Sequence, residues 1–283
     1  MTTASGFFNI IETVLSYKMC FMSADGKYYA GVDVGSLATK CVALGGAGVV
    51  ARAVVPTGAA GPAAASASFE QALAAAGVSA AAVAAVVGTG YGRARVPFAG
   101  RAVTEVMCHA RGAFEFAGGG VTVIDVGGQD VKAIRLDARG AVAEFAMNDR
   151  CAAGTGRFLE IMARALDMDL ATLAGLDPAR PDAARVNSTC TVFAESEVVG
   201  LIHEGVPPAA VGAGVLCAVA DRVAALARRV GGDRFVLSGG VALNGGFVRA
   251  LARALGHDVT VLPDPQFVGA LGAAFLARDE GER

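Results

Sequence analysis

The feature that most constrains the fold of this chain is an internal repeat. At one gap-free register of 92 residues, Val32-Asp33-Val34-Gly35-Ser36 lies over Ile124-Asp125-Val126-Gly127-Gly128, Lys40 over Lys132 and Leu44 over Leu136. In both copies an apolar run ends in an acid and then glycine, and a second apolar run follows. Buried strands joined by a glycine turn share part of this pattern anyway, so the matched lysine and leucine are what make it a repeat. A strand that ends in Asp-x-Gly lets a phosphate, or a metal carried on it, approach backbone N–H groups with no Cβ in the way.

Hydrophobic spacing fills in the elements around the repeat. Strands are predicted over Tyr28–Val34, Thr39–Leu44, Val49–Val55 and Ala82–Val87, with helices over Ser66–Ala76 and over Thr104–Phe116 behind Thr104 as N-cap. After Gly118-Gly119-Gly120 the strand pattern restarts with Val121–Val126, Val131–Leu136 and Ala141–Met147. The remainder reads as helices over Gly154–Leu166, Val192–Glu204 and Pro208–Val230, a strand over Phe235–Leu237, and helices to the end. The expected organisation is an appendage over residues 1–27, a first lobe over 28–119 and a second over 120–283, the last helix being a candidate to cross back to the first lobe. Met22 is the expected natural start of the chain.

Composition excludes several classes. The 283 residues carry 24 Lys+Arg against 26 Asp+Glu, for a formal net charge of -2, so no basic surface for a nucleic-acid backbone is expected. With 54% hydrophobic residues a large core is available, and this length favours two lobes. Mean hydropathy is +0.52, but Gly and charge interrupt the apolar runs, so no membrane span is expected. No basic n-region or Ala-x-Ala cleavage site precedes the first strand, which places the protein in the cytoplasm and its cysteines outside disulfides.

Three glycine turns are candidates for phosphate chemistry: Asp33 to Lys40, Asp125 to Asp130, and Leu237-Ser238-Gly239-Gly240-Val241-Ala242-Leu243-Asn244. Neither a Walker lysine motif nor a Gly-x-Gly-x-x-Gly is present, which removes the P-loop and Rossmann readings. Two matched Asp-x-Gly turns with a later Ser-Gly-Gly turn resemble the superfamily of acetate and sugar kinases, heat-shock chaperone ATPases and actin. That resemblance implies two actin-like, ribonuclease H-like lobes with ATP or ADP in a cleft between them. It places Asp33 and Asp125 near Mg2+ and its waters, and Gly35, Ser36, Gly127 and Gly128 along the β- and γ-phosphates. Gly239 and Gly240, with Asn244 closing their turn, are placed toward the adenosine, and Thr39 completes the first turn. Gln129 either orients an attacking water or is a polar turn residue. Lys40 and Lys132 either touch phosphate or cap a strand in solvent, and contact is assigned to Lys40 alone.

The six cysteines form no Cys-x-x-Cys pair, against a zinc ribbon or redox dithiol. Cys41 and Cys217 read as small core residues. Cys151, in Asn148-Asp149-Arg150-Cys151-Ala152-Ala153-Gly154-Thr155-Gly156, and Cys190, in Asn187-Ser188-Thr189-Cys190-Thr191, both enter helices through polar turns. There the helix dipole and exposed N–H groups stabilise a thiolate or an anionic cluster. Two thiols do not complete the four-thiolate shell of an iron-sulfur cluster; a twofold dimer would.

These two turns, together with Gly88-Thr89-Gly90-Tyr91-Gly92-Arg93 and Thr104 to Ala113, resemble the activators of 2-hydroxyacyl-CoA dehydratases, a group that includes the ATPase subunits of benzoyl-CoA reductase. The resemblance runs from Tyr29 to Ala277 and departs only over the N-terminal appendage. It implies a homodimer with one [4Fe-4S] cluster held by Cys151 and Cys190 of each chain. It further implies ATP hydrolysis that drives a low-potential electron from reduced ferredoxin or flavodoxin into a dehydratase. It assigns no metal to Cys108 or His109. A benzoyl-CoA reductase-type subunit, a small-molecule kinase and a nucleotide-binding regulator without turnover are the competing readings.

Overall fold

The computed structural model describes residues 26–149, 151–187 and 190–282; Met22 and Cys20 lie outside the described residues. The chain forms two compact units, one running to Phe116 and resumed from Phe267, the other spanning Ala117–Gln266.

The first unit is built on β1 (Tyr28–Val34), β2 (Ala38–Gly45), β3 (Gly48–Pro56), β4 (Val83–Thr89) and the two-residue β5 (Arg101–Ala102), in the order β3-β2-β1-β4-β5. β1 pairs antiparallel with β2 and parallel with β4. Both faces of this sheet are covered, which is why β1 reads as a nearly continuous apolar run rather than an alternating one. Ala30, Val32, Cys41 and Ala43 face Ala65, Phe69, Ala72 and Leu73 of α1 (Gly61–Ala76). Tyr29, Val42, Leu44 and Val87 face Ala270, Ala273, Ala274 and Ala277 of α8 (Val268–Gly281). A Cβ on Gly31 would stand 2.0 Å from the Ala270 carbonyl oxygen, so glycine lets the backbone of α8 rest directly on β1. α2 (Glu105–Ala117) packs on α8 in the same manner through Gly112 and Gly272.

The second unit repeats the plan. β6 (Thr122–Val126), β7 (Val131–Leu136), β8 (Val142–Asn148), β9 (Phe235–Ser238) and β10 (Val259–Val261) run in the order β10-β9-β6-β7-β8, again with an antiparallel meander on one side and parallel pairing on the other. Its core joins Ile124, Val126, Val131 and Ala133 to Phe158 and Met162 of α3 (Gly156–Ala165) and to the inner face of α6 (Pro208–Val230). α4 (Leu170–Gly175), α5 (Thr191–His203) and α7 (Gly245–Leu255) complete the unit.

Four sequence expectations are corrected here. α1 begins at Gly61, five residues early, because Pro62 suits the first turn of a helix. The tail is not wholly helical: Val259–Val261 pairs parallel with β9. α6 does meet the length and composition of a membrane span, with a mean hydropathy of 1.7, and 61% of that window is buried within the protein as in a core helix. Cys217, expected in the core, is half-buried, and its Sγ donates to the Pro178 carbonyl at 3.4 Å.

Candidate functional site

The repeat becomes a matched pair of cross-strand contacts. Antiparallel register sets Asp33 opposite Lys40 and Asp125 opposite Lys132. In each unit the lysine Nζ donates to the aspartate Oδ2 at 3.3 Å.

In the first unit the turn after Asp33 is held from below. Thr57 Oγ1 donates to the Gly35 carbonyl at 2.7 Å and lies 2.9 Å from Thr39 Oγ1, so buried Thr39 supports the turn. Ser36 at the tip is exposed. The Gly90–Gly92 segment passes beneath: Gly92 N–H donates to the Val34 carbonyl at 2.9 Å, and a Cβ on Gly90, at φ +90, would stand 2.5 Å from Asp33 Oδ1. Buried His109 approaches from α2, where a Cβ on Gly269 would meet its Nε2 at 2.8 Å and Asp33 Oδ2 at 3.4 Å. Thr57 and His109 are neighbours of the turn that the sequence did not reveal, since their proximity depends on tertiary packing.

The second turn is more heavily braced. Lys132 Nζ also donates to Asp130 Oδ2 at 2.6 Å, and Ser238 Oγ donates to Asp125 Oδ1 at 3.1 Å. Lys132 is 1% exposed, which removes the alternative of a strand cap in solvent. Asp125 thus has hydrogen bonds on both carboxylate oxygens, one from a residue 113 positions away. Gly239, at φ +88, brings the third turn against the second: a Cβ there would stand 2.3 Å from the Val126 carbonyl oxygen. Gln129 and Gly240 are exposed. Asn244 is buried, and its Oδ1 accepts from Phe247 N–H at 2.8 Å, which makes it the N-cap of α7.

The cysteines connect to this turn through backbone. Thr155 is the N-cap of α3, but its side chain does not cap the helix; its hydroxyl donates to the Ala152 carbonyl at 2.6 Å. Instead, Gly156 N–H and Arg157 N–H donate to the carbonyls of Gly127 and Gly128, each at 2.9 Å. The first turn of α3 is therefore seated on the glycine turn itself, and Cys151 lies five residues ahead of that helix. Cys190 is the N-cap residue of α5, which packs on α3. Glu197 of α5 reaches back to accept from Asn187 N–H at 2.9 Å.

Both thiols are exposed, and Val192 and Phe193 beside Cys190 are 67% and 69% exposed. Cys41 and Cys108 are the opposite case: burial pushes each thiol up to about 12, leaving them inert. Among the described residues no three His, Cys, Asp or Glu side chains stand together as a metal site.

The chain is similar to known proteins over most of its length. The profile of the BadF/BadG/BcrA/BcrD ATPase family matches residues 30–277. The activator of lactoyl-CoA dehydratase from Anaerotignum propionicum is 45% identical over 260 residues, covering 90% of this chain and 99% of the relative. The crystal structure of component A of (R)-2-hydroxyglutaryl-CoA dehydratase from Acidaminococcus fermentans is 41% identical, with a TM-score of 0.85 over 91% of this chain and 100% of that one. The activator of 2-hydroxyisocaproyl-CoA dehydratase from Clostridium difficile, solved with bound ADPNP, is likewise 41% identical, with a TM-score of 0.83 over 90% and 96%. Two α/β units of one plan, each with an Asp-Gly turn beside a lysine, thus meet the resemblance read from the sequence, and the chain belongs to the BadF/BadG/BcrA/BcrD ATPase family.

Proposed function

We propose that this chain is a cytoplasmic, homodimeric activator that couples ATP hydrolysis to electron delivery into a 2-hydroxyacyl-CoA dehydratase. The observation that carries the reading is the seating of α3 on the Gly127 and Gly128 carbonyls, because it joins the turn expected to meet phosphate to the helix that follows Cys151. A change in the glycine turn on binding or hydrolysis alters the first hydrogen bonds of α3 and so the setting of the Cys151 turn.

The donor sets suit the groups this reading requires. Mg2+ is held through one or two carboxylates, water and phosphate oxygens rather than by an all-protein cage, and each turn offers one carboxylate, Asp33 or Asp125, beside glycine amides. Gly35, Ser36 and Gly128 present backbone N–H groups to phosphate oxygens, Gly127, whose own N–H donates to the Asp130 carbonyl at 2.9 Å, lines the approach without a Cβ, Lys40 adds a cation, and exposed Gln129 is available to orient water. Gly239 and Gly240 accept the adenosine. Cys151 and Cys190 are exposed and sit ahead of two helices that pack together, the soft donors that an iron-sulfur cluster takes. Two thiols per chain make half a shell, so a second copy supplies the other half. When bound, a [4Fe-4S] cluster supplies a low-potential electron. The electron donor is a reduced ferredoxin or flavodoxin, and the partner is a 2-hydroxyacyl-CoA dehydratase of the kind named in the relatives.

Anaerobic purification tests this, with iron, sulfide and molecular mass measured on one sample. The expected result is a brown dimer with about four irons per two chains, and an iron-free protein for the double variant Cys151→Ala, Cys190→Ala. A colourless monomeric wild-type protein, or a double variant that keeps stoichiometric iron, would overturn the assignment, and the first outcome would favour a kinase.

A further inference from the structure

The Cys151 turn is backed by a side chain that the reading above does not use. Arg222, half-buried on α6, places its guanidinium carbon 5.1 Å from the centre of the Phe158 ring of α3. Its Cβ lies 3.6 Å from the position a Cβ on Gly154 would take. With Val131, Asn148, Ala153, Gly154 and Arg229 it lines a cavity of about 220 Å³ under the stretch that carries Cys151. Asn148 belongs to the same support, its Nδ2 donating to the Cys151 carbonyl at 3.2 Å. Burial pulls the guanidinium below the ordinary arginine range, opposed by Cys151, Asp221 and Glu197. Arginine suits this place because it stays charged and stacks flat on a ring, which a lysine ammonium does not reproduce.

A cluster with four thiolates is anionic, and reduction adds one more negative charge. A fixed cation beside one ligand therefore favours the reduced state, more so where water is partly excluded. We propose that Arg222 is a positioning residue of the cluster site, whose charge beside Cys151 raises the potential at which the cluster takes up its electron while its stem braces the turn. This inference rests on Cys151 being a cluster ligand.

The test is a reductive titration of anaerobically purified wild-type, Arg222→Met, Arg222→Gln and Arg222→Lys proteins, with iron content and melting temperature measured alongside. Each cluster takes one electron from titanium(III), which becomes titanium(IV), and the visible spectrum reports the reduced fraction. The expected result is unchanged iron in the Met and Gln variants and a reduced-to-oxidised ratio roughly tenfold lower at a fixed poise, a potential ~59 mV more negative for a one-electron couple. The Lys variant is expected to recover most of that ratio even where its melting temperature falls. The Gln variant carries the test if the Met variant does not fold. Iron-loaded charge-removal variants with the wild-type potential would overturn this inference and leave the cluster reading intact. So would a Lys variant shifted as far as the Met variant, since that is the mark of a brace alone. A wild-type protein without iron would overturn the cluster reading, and this inference with it.

Discussion

Lys132 and Lys40 occupy the same place in the repeat and sit in different electrostatic settings. Five residues after the aspartate the second copy has Asp130 where the first has Ala38, so Lys132 is shared between two carboxylates and Lys40 serves one. Lys40 keeps 18% of its side chain exposed, where water screens the pair; Lys132 keeps 1%. Removing one partner of a buried ion pair leaves charge stranded in low dielectric, and for Lys132→Met that is expected to destabilise the protein by about 3–5 kcal/mol. Lys40→Met is expected to lose about 1 kcal/mol or less. Urea unfolding of the two variants side by side measures the difference, and equal midpoints would refute it. The sequence matched the two lysines in the repeat but left each between phosphate and a strand cap in solvent; the pairing with aspartate comes from the antiparallel register. Nor did the sequence reveal the burial of Lys132, which depends on packing, or the Ser238 bond to Asp125 across 113 residues.

At the scale of elements, what could be read was what repeats locally. β1 to β3 and β6 to β8 stood out because apolar runs broken by glycine turns need no partner to be recognised. β5 has two residues and α4 six, too few for a period to register. β10 was absorbed into a helical reading because a strand of three residues is defined by its pairing with β9 rather than by its own pattern. The crossing of α2 and α8 was equally hidden, since a glycine in a helix does not announce what lies against it. Gly272 faces backbone: a Cβ there would stand 1.8 Å from the Cys108 carbonyl oxygen and 2.8 Å from Gly112 N. Backbone cannot swing aside as a side chain does, so Gly272→Ala is expected to destabilise the first unit by about 1–3 kcal/mol or more. Gly200, within α5, has open space where its Cβ would go, and Gly200→Ala is expected to stabilise by about 0.5–1 kcal/mol through helix propensity. Opposite shifts in the unfolding midpoint are the signature; a loss in both would mean that helical glycines here are not distinguished by what faces them.

Among the described thiols, half-buried Cys217 apart, burial follows the unit. Cys41 and Cys108 lie in the core of the first, while Cys151 and Cys190 stand exposed on the second. The polar, glycine-bearing context of the second pair was legible, because a core cysteine needs no such turn around it. The depth of Cys108 was not, since its helix neighbours include charged residues. The sorting has a chemical consequence. At pH 8 a thiol raised to about 12 holds only about 10⁻⁴ of its population as the reactive thiolate, and burial shields even that from a reagent. Iodoacetamide added to native, iron-free protein is therefore expected to label Cys151 and Cys190 and to spare Cys41 and Cys108 until guanidinium unfolds the chain, as read by mass spectrometry of peptides. In iron-loaded protein the exposed pair is expected to be protected as well, because a sulfur bound to iron is no longer a nucleophile. Labelling of Cys108 as fast as Cys190 in the native protein would contradict the packing of the first unit. Labelling of Cys151 and Cys190 at full rate in an iron-loaded sample would instead place the iron elsewhere, so the same experiment separates an error about the fold from an error about the site.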